Sequence, residues 1–251
     1  MADPARTVAL FVTCLVDVFR PSVAEAAVRL LEQAGFRVAV PAQTCCGQAN
    51  FNGGDRSGAA QLARRMIAVF RDFEYVVAPS GSCVGMIRDY PELFPDAPAD
   101  RAAADALAAR TWELTAFLRE VANGPAKPVR WEATAAYHDS CSGLRQLGIR
   151  EQPRALLGSV GGLALREIRN PEECCGFGGS FCVKYPAIST HIGDQKIDDI
   201  VATGASHLIG GDLGCLLHLE GRMQRRGIAV RAVHVAEVLA GMIPGASRGN
   251  D

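Results

Sequence analysis

Tyr75-Val76-Val77-Ala78-Pro79-Ser80-Gly81-Ser82-Cys83 is a short apolar run that passes directly into a small-residue turn closing on a cysteine. Four such residues, bounded by proline and glycine, predict a buried strand. The arrangement recurs as His207-Leu208-Ile209-Gly210-Gly211-Asp212-Leu213-Gly214-Cys215. Upstream, Cys45-Cys46-Gly47 precedes the first stretch and Cys174-Cys175-Gly176 the second, while Cys14 and Cys141 open the two series. In the first, 30 residues separate Cys14 from Cys45 and 36 separate Cys46 from Cys83; in the second the intervals are 32 and 39. Of the nine cysteines only Cys182 lies outside this scheme. A repeated order at nearly equal spacing predicts an internal duplication of domain-sized units rather than a solenoid.

The intervening patterns agree with that reading. Thr7–Thr13 is a β-rich run, Ser22–Ala34 has helical apolar spacing stopped by Gly35, and Phe36–Val40 alternates like a strand before the Cys45-Cys46 loop. Arg56–Phe70 is helical, and Tyr75–Ala78 is the strand before Cys83. The second half repeats the order, with strands at Ala135–His138, Leu163–Ile168 and His207–Ile209 and helices at Glu151–Ser159 and Ile188–Ala202. Alternating strands and helices predict an α/β fold of two similar βαβ-type halves with parallel strands. Ligands in such folds collect beyond the carboxyl ends of the strands, where every cysteine of both sets falls. Ala102–Val121 reads as one long Ala-rich helix, Asn123–Arg130 as a linker, and the chain from Pro244 onward as a frayed tail. The expected domains are residues 1–124 and 131–251.

The chain has 251 residues, 49% hydrophobic and 21% charged, which is globular rather than disordered composition. A net charge of −1 leaves no basic footprint for nucleic acid, and Arg222, Arg225 and Arg226 read as a solvated helix face. The apolar stretch Val8–Phe19 is broken by Thr13 and Asp17, so neither a spanning helix nor a secretory signal is expected. The expected location is therefore cytoplasmic, with no direct membrane insertion. In that compartment nine cysteines point to metal or redox chemistry before disulfides.

Two sets of four thiols, Cys14/Cys45/Cys46/Cys83 and Cys141/Cys174/Cys175/Cys215, are the candidate cofactor and metal ligands. Four soft thiolates are the usual complement of an iron–sulfur centre, with zinc as the alternative in one or both halves. Adjacent cysteines diverge in a turn and can touch different irons of one cluster. Gly47 and Gly176 permit positive φ there and close backbone approach to sulfur. A cysteine near a helix N-terminus, as expected for Cys83 and Cys215, has its thiolate favoured. His138 and Cys182 are possible extra ligands, against the commoner roles of structural hydrogen-bonder and inert buried thiol. Ser80 and Asp212 stand at matching places, where helix capping competes with atypical ligation. His191, His207, His218 and His234 have no ligand spacing, and Cys174–Cys182 lacks the full GxGxxG of a dinucleotide loop. Alternative functions are a zinc-stabilised structural or interaction module and a thiol–disulfide oxidoreductase acting through a vicinal pair.

These strings resemble a known family. Cys14-Leu15-Val16-Asp17-Val18-Phe19-Arg20-Pro21, Thr44-Cys45-Cys46-Gly47-Gln48 and Tyr137-His138-Asp139-Ser140-Cys141-Ser142-Gly143-Leu144-Arg145 carry the likeness, with Cys174-Cys175-Gly176-Phe177-Gly178-Gly179, Phe181-Cys182-Val183-Lys184-Tyr185-Pro186 and the two strand-to-cysteine stretches ending at Cys83 and Cys215. The doubled pattern is similar to the cysteine-rich CCG domain found in heterodisulfide reductase and in the iron–sulfur component of glycolate oxidase. The longer strings narrow the resemblance to the lactate utilization protein A family. That resemblance implies an electron-transfer subunit carrying iron–sulfur clusters, [4Fe–4S] or [2Fe–2S], in a complex that oxidises L-lactate to pyruvate. Its implied partners are lactate utilization proteins B and C. The full CCG motif ends in Cys-x-x-Cys, whereas Ser80 and Asp212 replace the first cysteine of that pair here. Four-thiolate sites are therefore expected ahead of five-thiolate clusters, and heterodisulfide reductase-like thiol–disulfide chemistry stands as an alternative behind electron transfer.

Overall fold

The computed structural model describes residues 6–122, 124 and 127–248. The first half runs β1 (Thr7–Leu10), α1 (Cys14–Phe19), α2 (Ser22–Gln33), β2 (Arg37–Ala39), α3 (Gln48–Gly53), α4 (Arg56–Phe70), β3 (Tyr75–Ala78), α5 (Gly81–Arg88), α6 (Pro98–Ala109), β4 (Thr111–Glu113) and α7 (Leu114–Glu120). The second runs β5 (Val129–His138), α8 (Glu151–Leu157), β6 (Gly161–Arg166), α9 (Phe181–Lys184), α10 (Pro186–Ala202), β7 (His207–Gly210), α11 (Leu213–Arg225), β8 (Arg231–His234), α12 (Val235–Leu239) and β9 (Ser247–Arg248).

Each half forms its own parallel sheet, ordered β2-β1-β3-β4 and β6-β5-β7-β8. The order is the same in both, as a duplication requires. Each sheet changes winding direction between its two central strands, β1/β3 and β5/β7, and there the carboxyl ends open a crevice. The eight cysteines of the two sets follow the strands around these two crevices: Cys14 follows β1, Cys45-Cys46 follow β2 and Cys83 follows β3, while Cys141, Cys174-Cys175 and Cys215 follow β5, β6 and β7.

Strand alternation separates two cores. Val8, Leu10 and Val77 face a core shared by both halves, which continues through Leu30, Phe117, Ala136, Ile209, Leu216 and Val235. Ala9, Phe11, Val76 and Ala78 face a second core with Met66, Phe70, Met86, Tyr90 and Phe94, all from the first half. The shared core fixes the two sheets against one another.

Four expectations need correction. Ala102–Val121 is not one helix: α6 ends at Ala109, and Thr111–Glu113 pairs with Val76–Ala78 as a fourth strand before α7 begins. Strand β5 starts at Val129, so the expected linker's end is sheet, while residues 123, 125 and 126 of that linker lie outside the described residues. The tail from Pro244 is not wholly frayed, because Ser247–Arg248 pairs antiparallel with Val129–Arg130; residues 249–251 lie outside the described residues. Finally, the basic cluster is not merely solvated. Arg222 clasps Asp194 at 2.7–3.1 Å and Arg226 reaches Asp198 at 2.6 Å, tying α11 to α10.

No helix among the described residues is long and apolar enough to cross a membrane.

Candidate metal centre

The first four sulfurs meet at the carboxyl edge of the first sheet. Cys14 opens α1, and its Sγ lies 3.9 Å from Cys45 Sγ. Cys46 is buried, with its Sγ 3.5 Å from Cys83 Sγ. Gly47 adopts φ +85°, which turns its N–H back onto Cys45 Sγ at 3.4 Å. Cys83 is the third residue of α5, and its own N–H reaches the Ser80 hydroxyl at 3.4 Å, so Ser80 is the helix cap. Tyr90 donates to the Cys46 carbonyl at 2.8 Å and anchors the loop from below.

The second set repeats this plan. Cys141 Sγ contacts Cys174, and Cys175 Sγ lies 2.9 Å from Cys215 Sγ. Gly176, at φ +87°, donates to Cys174 Sγ at 3.3 Å, and Phe177 N–H to Cys175 Sγ at 3.5 Å. All nine cysteines are free thiols.

Within each set the thiols shift one another strongly. Contact with Cys14 and Cys46, helped by the Gly47 N–H, pulls Cys45 down to about 2; Cys174 falls to about 2 through Cys141, Cys175 and the Gly176 N–H. Cys14 and Cys141 are driven well above the ordinary thiol value, first by contact with those same neighbours and then by burial. Each set therefore stabilises one negative charge readily and resists further ones. Four thiolates held this close need a compensating cation, and the donor set fits one.

The family model of the cysteine-rich CCG domain matches residues 8–88 and 135–220. Lactate utilization protein A of an Exiguobacterium species is 47% identical over 235 residues, covering 92% of this chain and 96% of that protein. Lactate utilization protein A of Bacillus cytotoxicus is 46% identical over 233 residues, covering 92% and 98%. The chain belongs to the lactate utilization protein A family, built on two cysteine-rich CCG domains. In fold alone it is similar to a hypothetical protein from Helicobacter pylori, at TM-score 0.69 and 11% identity, with 94% of this chain matching 49% of that one.

In this member of the family the two centres differ. The first borders a cavity of about 240 Å³ walled partly by the second half, through Phe177, Asp212 and Gly214. Asp212 stands at the start of its own helix α11, with the Gly214 N–H beside its carboxylate. Its Oδ2 also accepts the Ser82 N–H at 2.8 Å, so it reaches the N-terminus of α5 in the other half as well. In the second centre His138 is buried, and its ring lies with Cys175 and Cys215 in a group whose ligand atoms are within 4.8 Å of one another. Burial, with the nearby Lys196 charge, pushes that imidazole down to about 3, so it is neutral. Cys182 turns away, its Sγ donating to the Gly179 carbonyl at 3.1 Å.

Sequence reading missed two supports. Lys196 is fully buried on α10 and donates to the Asn170 and Pro171 carbonyls at 2.7 and 3.2 Å, bracing the loop into Cys174. Arg154 grips Asp139 at 2.8–2.9 Å and stacks over Tyr137, fixing the strand end before Cys141. A lysine on an otherwise ordinary helix carries no local signal of such a role.

Proposed function

We propose that the chain is an electron-transfer subunit with an iron–sulfur centre in each half, one held by Cys14, Cys45, Cys46 and Cys83 and the other by Cys141, Cys174, Cys175 and Cys215. It serves a complex that oxidises L-lactate to pyruvate, with lactate utilization proteins B and C as partners, in the cytoplasm. The domains are residues 1–124 and 131–251, one centre to each. The observation that carries this reading is the convergence of four distant sulfurs at each of two matching sheet edges. The names of the relatives support the lactate assignment. An iron–sulfur centre, when bound, supplies one-electron transfer at a potential set by its charge, its hydrogen bonds and its exposure.

The chain's own groups set those conditions. Gly47, Gly176 and Phe177 donate N–H groups to sulfur, which stabilises thiolate charge and raises the potential. The N-termini of α5 and α11 add positive potential at Cys83 and Cys215. Exposed Cys14 marks the face of the first centre open to a partner, while the second lies deeper. Two one-electron centres in one chain suit the division of a two-electron oxidation into single steps.

Anaerobic reconstitution with iron and sulfide tests this. Broad visible absorption that bleaches on reduction, with a paramagnetic signal from each half, is expected. Protein that binds no iron in any redox state overturns it. The His138/Cys175/Cys215 group also suits a single zinc ion in the second half. Metal analysis separates the two, since a colourless second half holding one zinc favours that reading.

A further inference from the structure

The strands that lead into the first cysteine of each set, β1 and β5, occupy the same place in their sheets, and one place where the halves differ lies three residues before that cysteine. There the first half carries Phe11 and the second His138. Phe11 is fully buried and meets Phe70 edge-on within the first half's core. His138 is 1% exposed, yet neither Nδ1 nor Nε2 has a hydrogen-bond partner among the described residues. A buried imidazole with both nitrogens unsatisfied is costly, and a site that apolar phenylalanine fills in the sister half has no packing need for one. The ring is aimed at sulfur: its ligand nitrogen, Cys175 Sγ and Cys215 Sγ all lie within 4.8 Å of one another. A neutral imidazole nitrogen with no proton partner is a ready metal ligand.

We propose that His138 is a direct ligand of the second centre, which is thereby a mixed thiolate–imidazole site while the first is thiolate alone. The inference rests on the second half holding metal, as proposed above. Exchanging a charged thiolate for a neutral imidazole removes negative charge from a centre and raises its potential. The second centre is therefore the more oxidising of the two, and electrons entering at the exposed Cys14 side run inward to it. The four cysteines outnumber the thiolates that such a site needs. Cys141 and Cys174 both stand outside the His138/Cys175/Cys215 group, so one of these two is left as a thiol or as a weaker ligand.

The test uses the full chain with Cys46→Ser and Cys83→Ser, so that the first centre is dismantled and the second is read alone. Reconstituted protein labelled with ¹⁵N-histidine is compared with unlabelled protein by pulsed EPR. A strong nitrogen coupling that changes with the label, and that disappears in His138→Phe, is the expected result. In the chain with all cysteines intact, His138→Cys should lower the midpoint potential of the second centre and leave that of the first unchanged. Iron bound without a directly coupled nitrogen overturns this proposal alone, because His138 is then at most a hydrogen-bond donor to sulfur. Absence of any metal from the second half overturns both this proposal and the reading beneath it. If zinc is bound instead, ligation requires the zinc content to fall at least tenfold in His138→Phe, and unchanged zinc rejects it.

Discussion

Among single residues, buried charge is concentrated where the halves meet and where the cysteine loops are braced. Glu113 caps α7 through the Thr115 and Ala116 N–H groups, at 2.8 and 3.1 Å. Burial outweighs those bonds and raises its carboxyl to about 7. A carboxyl raised on folding binds its proton more tightly in the native state. It therefore contributes stability that is complete below the unfolded value near 4.5 and is lost as pH climbs through about 7. Glu113→Gln keeps an acceptor oxygen and removes the titration. Between pH 4 and pH 8 the variant should gain on the parent by roughly 3 kcal/mol, the scale set by a carboxyl moved from its ordinary value to near neutrality. Urea unfolding across that range checks this, and parallel pH profiles for the two proteins would refute it. Lys196 acts in the other sense, as a buried cation whose value is its two carbonyl partners. Lys196→Met should cost about 2 kcal/mol in urea, the scale of hydrogen bonds from a charged donor, and should loosen the loop into Cys174. Unaltered stability together with unaltered metal retention in the second half would reject the bracing role.

Among the elements, the cysteine loops were legible because their residues are chemically unmistakable, and the glycine after each pair lies in the left-handed region as its sequence suggests. The two glycines are not equivalent in their surroundings. A Cβ on Gly47 would meet Leu62 and Ala59 at 3.4–3.6 Å, ordinary contact, so Gly47→Ala bears mainly the left-handed penalty of about 1–2 kcal/mol. A Cβ on Gly176 would lie 2.4 Å from the Ser189 carbonyl oxygen and 3.0 Å from the Gly193 nitrogen, both backbone atoms. Gly176→Ala must therefore displace α10 or the loop itself, and the second half should lose its metal while Gly47→Ala leaves the first half loaded. Equal metal loss in both variants would contradict this, and metal analysis of each is sufficient. The strands beyond the crevices were harder to read. Thr111–Glu113 is a three-residue strand between an alanine-rich helix and a short apolar one, and helical propensity summed over the window conceals it. What makes it a strand is the empty edge of β3, a tertiary fact without local trace. The same holds for β8, which completes the second sheet beside β7.

In the molecule as a whole, the duplication is visible in the sequence but the manner of joining is not. The halves are laced by reciprocal polar contacts. Asp212 of the second half receives the Ser82 N–H of the first, and His234 lies 3.2 Å from the Pro79 carbonyl through Nε2. Gln146 donates to the Gly85 carbonyl and to Asp89, and Ser22 donates to Glu237 at 2.6 Å. Beneath these bonds lies one core in which Leu30, Phe117, Leu157 and Leu239 are all fully or almost fully buried together. Separating the halves would expose that apolar surface and leave α5 without a partner for its Ser82 N–H. Stability in this chain is therefore a property of the pair, although each sheet is complete by itself. Heat or urea should unfold the metal-free full chain in a single transition, with coincident signals from Trp112 in the first half and Trp131 in the second. Asp212→Ala should lower the midpoint without splitting it, by about 1–3 kcal/mol for the orphaned Ser82 donor and the lost cap. Two separated transitions, one reported by each tryptophan, would mean that the shared core is only a contact between independent domains. The cavity at the first centre would then be a cleft free to open rather than a site walled by its neighbour.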